Sequence, residues 1–120
     1  MIAGLGIDVV DLSRFARTIE RPGVSERLFT EAERAAAEGL SADRAIEYLA
    51  GRFAAKEALA KALGAPGGLL WTDVSVTTGR PQLELTGTVA ARAEELGVVT
   101  SHVSITHDAG VAAAVVVLER

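Results

Sequence analysis

The longest helical pattern in this chain runs from about Ala42 to Leu63. Ser41 stands where an N-cap belongs, Gly64 where a left-handed C-terminal residue belongs, and Pro66 just beyond it. Ile46, Leu49, Phe53, Ala60 and Leu63 trace an apolar stripe along it. The chain has 120 residues, enough for one ordinary domain, 1–120. The remaining elements must therefore build their core against this helix. Half the residues are apolar but only 4% are aromatic, so Ala, Val and Leu fill the interior and favour close packing of elements.

Around the helix the pattern changes to period two. Ile2–Val10 reads as a strand with Ile2, Gly4, Gly6 and Asp8 on one face and Ala3, Leu5, Ile7 and Val9 on the other. The second face is apolar. The first is almost bare until Asp8, and glycines in a strand mark close approach of another group. Asp11 is a fit N-cap for a short helix with Leu12, Phe15 and Ile19 inward. Arg14, Arg17 and Arg21 form its outer stripe, and Pro22-Gly23 ends it. Thr30-Glu31-Ala32-Glu33 is a capping-box pattern opening an Ala-rich helix.

Beyond the long helix, Trp71–Thr77 and Gln82–Thr86 read as strands about a turn at Thr78-Gly79-Arg80-Pro81. Gly87–Leu96 reads as a short helix closed by Gly97. His102–Thr106 and Val111–Glu119 read as strands joined by His107-Asp108-Ala109-Gly110. The order β-α-α-α-β-β-α-β-β predicts an α+β fold, a mainly antiparallel sheet packed on one long helix.

Composition excludes several classes. The net charge of −4 lacks the basic footprint of a nucleic-acid-binding protein. No cysteine means no disulfide framework and no thiolate metal site, which fits a reducing cytoplasm. MIAGLGIDVVDLSRF has no basic or long apolar region, so no signal peptide is expected, and Val111–Leu118 is too short to span a membrane.

Three polar features interrupt apolar surroundings. Asp8 either caps the following segment or faces the bare strip as a functional carboxylate. Glu57 and Lys61, four apart on the long helix, form a surface pair or belong to a site. Phe53 and Ala60 place Glu57 near the apolar stripe, where a carboxylate needs a partner such as a cation. His107 continues the inward face of Val103 and Ile105, as a hydrogen-bonded core residue or a catalyst.

Taken together, three segments resemble the holo-acyl-carrier-protein synthases, the small single-domain 4′-phosphopantetheinyl transferases. They are Gly6-Ile7-Asp8 with Arg14 downstream; Arg52-Phe53-Ala54-Ala55-Lys56-Glu57-Ala58 with Lys61-Ala62-Leu63-Gly64; and His102-Val103-Ser104-Ile105-Thr106-His107-Asp108. The resemblance spans nearly the whole chain.

It implies transfer of phosphopantetheine from coenzyme A to a serine of an apo acyl carrier protein, releasing adenosine 3′,5′-bisphosphate. Asp8 and Glu57 would hold Mg2+ against the diphosphate, in keeping with a hard cation bound by one or two carboxylates plus phosphates. Glu57, Lys61 and His107 would be the catalytic groups, and Arg52, Lys61, Gly64 and His107 would contact coenzyme A. Glu57, a metal-bound water, His107 and Asp108 are the available proton acceptors, the first two ahead of the others. Arg14, Arg17 and Arg21 would dock the acidic carrier. A homotrimer with sites at subunit interfaces completes the expectation. Two competing readings are a non-enzymatic module that binds coenzyme A or a nucleotide and a purely structural assembly subunit. The first of these has no need of the Asp8–Glu57 pair.

Overall fold

The structure, a computed structural model, describes residues 1–120. In chain order it comprises strand β1 (Ile2–Asp11), helices α1 (Leu12–Ile19), α2 (Val24–Leu28), α3 (Glu31–Glu38) and α4 (Ala42–Ala62), and one turn of 3-10 helix at Trp71–Asp73. Strands β2 (Val74–Val76) and β3 (Leu83–Leu85), helix α5 (Gly87–Glu95), and strands β4 (Thr100–Asp108) and β5 (Val111–Glu119) follow. All strand pairs are antiparallel, in a three-stranded sheet ordered β1-β5-β4 and a separate β2-β3 hairpin. The α+β expectation of an antiparallel sheet on one long helix therefore holds. No helix is long and apolar enough to cross a membrane.

The sheet lies on α4 because both surfaces are small. Ala54, Ala55, Ala58 and Ala62 are buried along the helix, and Ala112, Ala114, Val116 and Leu118 of β5 alternate inward. The glycines of β1 bring the backbones into direct contact. A Cβ on Gly6 would stand 1.8 Å from the Ala58 carbonyl oxygen, and one on Gly4 would stand 2.0 Å from that of Ala62. Only a residue without a side chain fits at either place. A second cluster, built on Phe15, Leu28, Phe29 and Leu49, fills the space between the first helices and α4, and Val10 touches both clusters.

The glycine face of β1 takes the helix, the close approach that Gly4 and Gly6 predict, and the apolar row points away: Leu5, Ile7 and Val9 are 63%, 64% and 60% exposed. The fold corrects several other local expectations. A register shift between Ile2 and Gly4 frees Ala3 from that row and packs it on the core. The segment from Val24 holds helix α2, too short to show a period. Trp71–Asp73 turns helically before β2 begins, closed by the Asp73 N–H on the Leu70 carbonyl, and the Asp73 carboxylate accepts the N–H and hydroxyl of Thr88 at the start of α5. His107 and Asp108 extend β4, and the turn shrinks to Ala109-Gly110, both at positive φ. Arg21 lies past the end of α1, in a turn closed by its own N–H on the Thr18 carbonyl. Ser41 makes no side-chain cap. The Asp11 cap, the Thr30–Glu33 capping box and left-handed Gly64 are as expected.

Candidate active site

Strand β1 delivers Asp8 to α4 just beyond the glycines that allow the approach. Lys61, in the last turn of α4, donates from Nζ to Asp8 Oδ1 and to the Ile7 carbonyl, each at 3.0 Å. Asp8 is thus no helix cap; Asp11 fills that role through the Arg14 N–H. Nor do Glu57 and Lys61 form the surface pair their spacing allows, because Lys61 reaches across to the strand.

Glu57, one turn before Lys61, opens onto the same cavity. This cavity of about 320 Å³ is lined by Asp8, Asp11, Arg14, Phe53, Glu57 and Lys61 among others. Burial raises the pKa of Glu57 above the ordinary carboxyl value; the charge of Asp8 adds to the rise, and Lys61 opposes it. The two acidic groups, far apart in sequence, converge closely enough to repel each other. A hard divalent cation bridging to phosphates suits such a pair. Asp11 lines the cavity but caps α1, and no third carboxylate or histidine stands close enough to share one ion with the pair, so substrate oxygens and water would complete any coordination shell.

Other expected residues lie elsewhere. Arg52 and His107 line a second cavity, of about 410 Å³, with Arg44, Glu47, Tyr48 and Thr78. His107 is 57% exposed and its Nδ1 stands 3.1 Å from Glu47 Oε2, so it is neither a core histidine nor, within one chain, a neighbour of Asp8 and Glu57. That corrects the expectation of one cleft. Arg52 donates from Nη2 to the Thr77 carbonyl and stacks its guanidinium 4.0 Å from the Tyr48 ring centre. Its Nε and the Tyr48 hydroxyl are buried without partners. Gly64 borders neither cavity; it lies exposed at the end of α4, beside Arg92. Arg14 joins the acidic cavity, while Arg17 and Arg21 are exposed farther along.

Sequence reasoning missed two features. Arg44, Tyr48 and Arg52 recur at four-residue intervals on α4, a signal that could have joined the first two to Arg52. Lys56, beside Glu57 in the motif, is fully buried and serves structure. Its Nζ donates to Glu33 Oε1 at 2.7 Å, to the Leu28 carbonyl at 2.8 Å and to the Trp71 carbonyl at 3.0 Å. Glu33 Oε2 in turn accepts the Val76 N–H at 2.7 Å. No spacing rule connects residues so far apart.

The chain is similar to known proteins along its whole length. The family model described as "4'-phosphopantetheinyl transferase superfamily" matches residues 4–116. A holo-[acyl-carrier-protein] synthase of Streptomyces avermitilis is 60% identical over 122 residues, covering 98% of each chain. Among solved structures, a holo-(acyl-carrier-protein) synthase from Bacillus anthracis in complex with CoA (3',5'-ADP) superposes with a TM-score of 0.81 at 39% identity, covering 98% of this chain and 96% of that one. The acyl carrier protein synthase of Mycobacterium tuberculosis gives a TM-score of 0.76 at 40% identity, covering 99% and 98%. With sequence and fold in agreement over nearly all its length, the chain belongs to the 4′-phosphopantetheinyl transferase superfamily.

Proposed function

We propose that residues 1–120 form one transferase domain that moves 4′-phosphopantetheine from coenzyme A to a serine hydroxyl of an apo acyl carrier protein. The convergence of Asp8 and Glu57 beside Lys61 carries this reading. The serine oxygen forms a bond to the β-phosphorus, the bond to the bridging diphosphate oxygen breaks, and adenosine 3′,5′-bisphosphate leaves with the electron pair. Magnesium, when bound by Asp8 and Glu57, supplies the positive charge that a departing phosphate requires. Lys61 adds a cation at a phosphate oxygen. Glu57, at the cavity, or a metal-bound water would take the serine proton. His107 and Asp108 are the alternative acceptors.

The same reading makes the working unit a homotrimer in the cytoplasm, with sites shared between copies. Arg52 and His107 stand apart from the acidic cavity in one chain, as a site split across an interface requires. The exposed row of Leu5, Ile7 and Val9 supplies an apolar surface for that interface. Across it, Arg44, Arg52 and His107 of one copy would meet the nucleotide phosphates, with Gly64 also at coenzyme A. Arg14, Arg17 and Arg21 offer a cationic approach for the acidic carrier.

Incubation of the chain with apo carrier, coenzyme A and Mg2+, followed by intact mass, tests the function. One phosphopantetheine added to the carrier, and none in the presence of a chelator, is expected. Coenzyme A binding without transfer would indicate a binding module instead. For the docking face, Arg14→Glu with Arg17→Glu should raise the KM for carrier; an unchanged KM would remove the arginines from docking.

A further inference from the structure

The end of α4 presents an electrostatic problem for the substrate proposed above. Glu57 and Lys61 occupy the last turns of this helix, so a diphosphate held there meets the negative end of the helix dipole. Anions are favoured at the opposite end. Lys61 offsets part of the field, and it is already engaged with Asp8 and the Ile7 carbonyl.

A second cation reaches the same helix end from outside the motif. Arg92, in the last turn of α5, donates from Nε to the carbonyl of Leu63, the C-cap of α4, at 3.0 Å. Its Nη1 lies 3.4 Å from Glu95 Oε2, which steadies the guanidinium. Its Nη2 stands against Gly64: a Cβ there would lie 3.2 Å away. The chain then passes through two successive left-handed residues, Gly64 at φ 85 and Ala65 at φ 50. A non-glycine residue in that region is uncommon and needs surrounding contacts to hold it. The Ala65 N–H on the Ala60 carbonyl is one such contact, and the Arg92 bond at Leu63 fixes the residue where the turn begins.

We propose that Arg92 is a positioning residue for coenzyme A. It acts through Leu63 and Gly64, fixing the turn that ends α4 and offsetting the negative helix end that the diphosphate would otherwise meet. The inference rests on the transferase reading above and extends it to a residue on another helix.

Kinetics with coenzyme A and carrier varied separately test the proposal on Arg92→Gln and Arg92→Lys. Arg92→Gln should raise the KM for coenzyme A roughly two- to fivefold, the range of a charge at a helix terminus. Its kcat and its KM for carrier should hold. Arg92→Lys keeps the cation and a donor, and should restore most of the loss. Added salt should narrow the difference between wild type and Arg92→Gln. An unchanged KM for coenzyme A would overturn the proposal. So would a joint rise of both KM values with a fall in Tm that Ala90→Gly, which loosens α5 but keeps the guanidinium, reproduces. If the wild-type chain transfers nothing, the transferase reading fails by itself. Calorimetric binding of coenzyme A to wild type and to Arg92→Gln then decides the role of Arg92: weaker binding upholds it, equal binding refutes it.

Discussion

Two charged side chains one residue apart on α4 have opposite uses. Glu57 faces the acidic cavity, and its pKa is raised by burial and by Asp8. For a group whose folded-state pKa lies above the unfolded one, the stability contribution is complete below the unfolded value and is lost as pH rises through the folded one. Ionised Glu57 therefore weighs against the metal-free fold at neutral pH. Glu57→Gln should raise Tm in chelator while lowering kcat by roughly 10²–10⁴-fold, the range for loss of a proton acceptor; differential scanning fluorimetry and a transfer assay read the two effects. Lys56 points the other way, into the Glu33 ion pair. Burial lowers its pKa, while the hydrogen bond and charge of Glu33 work to raise it. Lys56→Met strands a buried carboxylate and should cost about 3–5 kcal/mol in urea unfolding. Adding Glu33→Gln removes the stranded charge and should return part of that loss.

At the scale of elements, the site depends on how closely β1 approaches α4. Gly6 sits two residues before Asp8 and touches the carbonyl of Ala58, the residue after Glu57. Gly6→Ala must push strand from helix, so one methyl group should part the two carboxylates as well as strain the core. Overpacking of this kind costs roughly 1–3 kcal/mol. The expected result is a lower Tm together with a raised metal requirement for transfer. A variant that loses stability but keeps the wild-type metal dependence would separate strand packing from metal binding. The buried Lys56–Glu33 pair has a comparable reach. Through Leu28, Trp71 and Val76 it ties α2, α3, the 3-10 turn and β2 to the helix that carries Glu57.

At the scale of the molecule, the outer face of the sheet is the feature one chain leaves open. Leu5, Ile7 and Val9 of β1 project beside Val115 and Val117 of β5, while β4 presents His102, Ser104 and Thr106. His102 Nε2 lies 2.6 Å from Glu119 Oε1 on that face. Burying the apolar row between copies would remove it from water, and each fully buried aliphatic side chain gains about 1.5–3 kcal/mol. On the proposed shared site, Ile7→Glu should therefore yield a monomer by light scattering and lose transfer activity, since no second copy would then bring its Arg52 and His107. A fully active monomer would overturn the shared-site arrangement.

The long helix, the glycine strip, the capping box and the α+β order were legible in the sequence because local periodicity and capping chemistry act within a few residues. Asp8, Glu57 and Lys61 were legible as a set only through the family resemblance, since no local rule relates a strand residue to a helix residue some fifty positions later. Tertiary packing decided the rest. It turned the apolar face of β1 outward, because two glycines let that strand lie flush on the helix backbone and side chains could not. It drew Lys56 inward to Glu33, gave Lys61 to Asp8 in place of Glu57, and set Arg52 and His107 in a separate cavity. These outcomes depend on which surfaces meet, and distances between elements are not encoded in the spacing of residues along one of them.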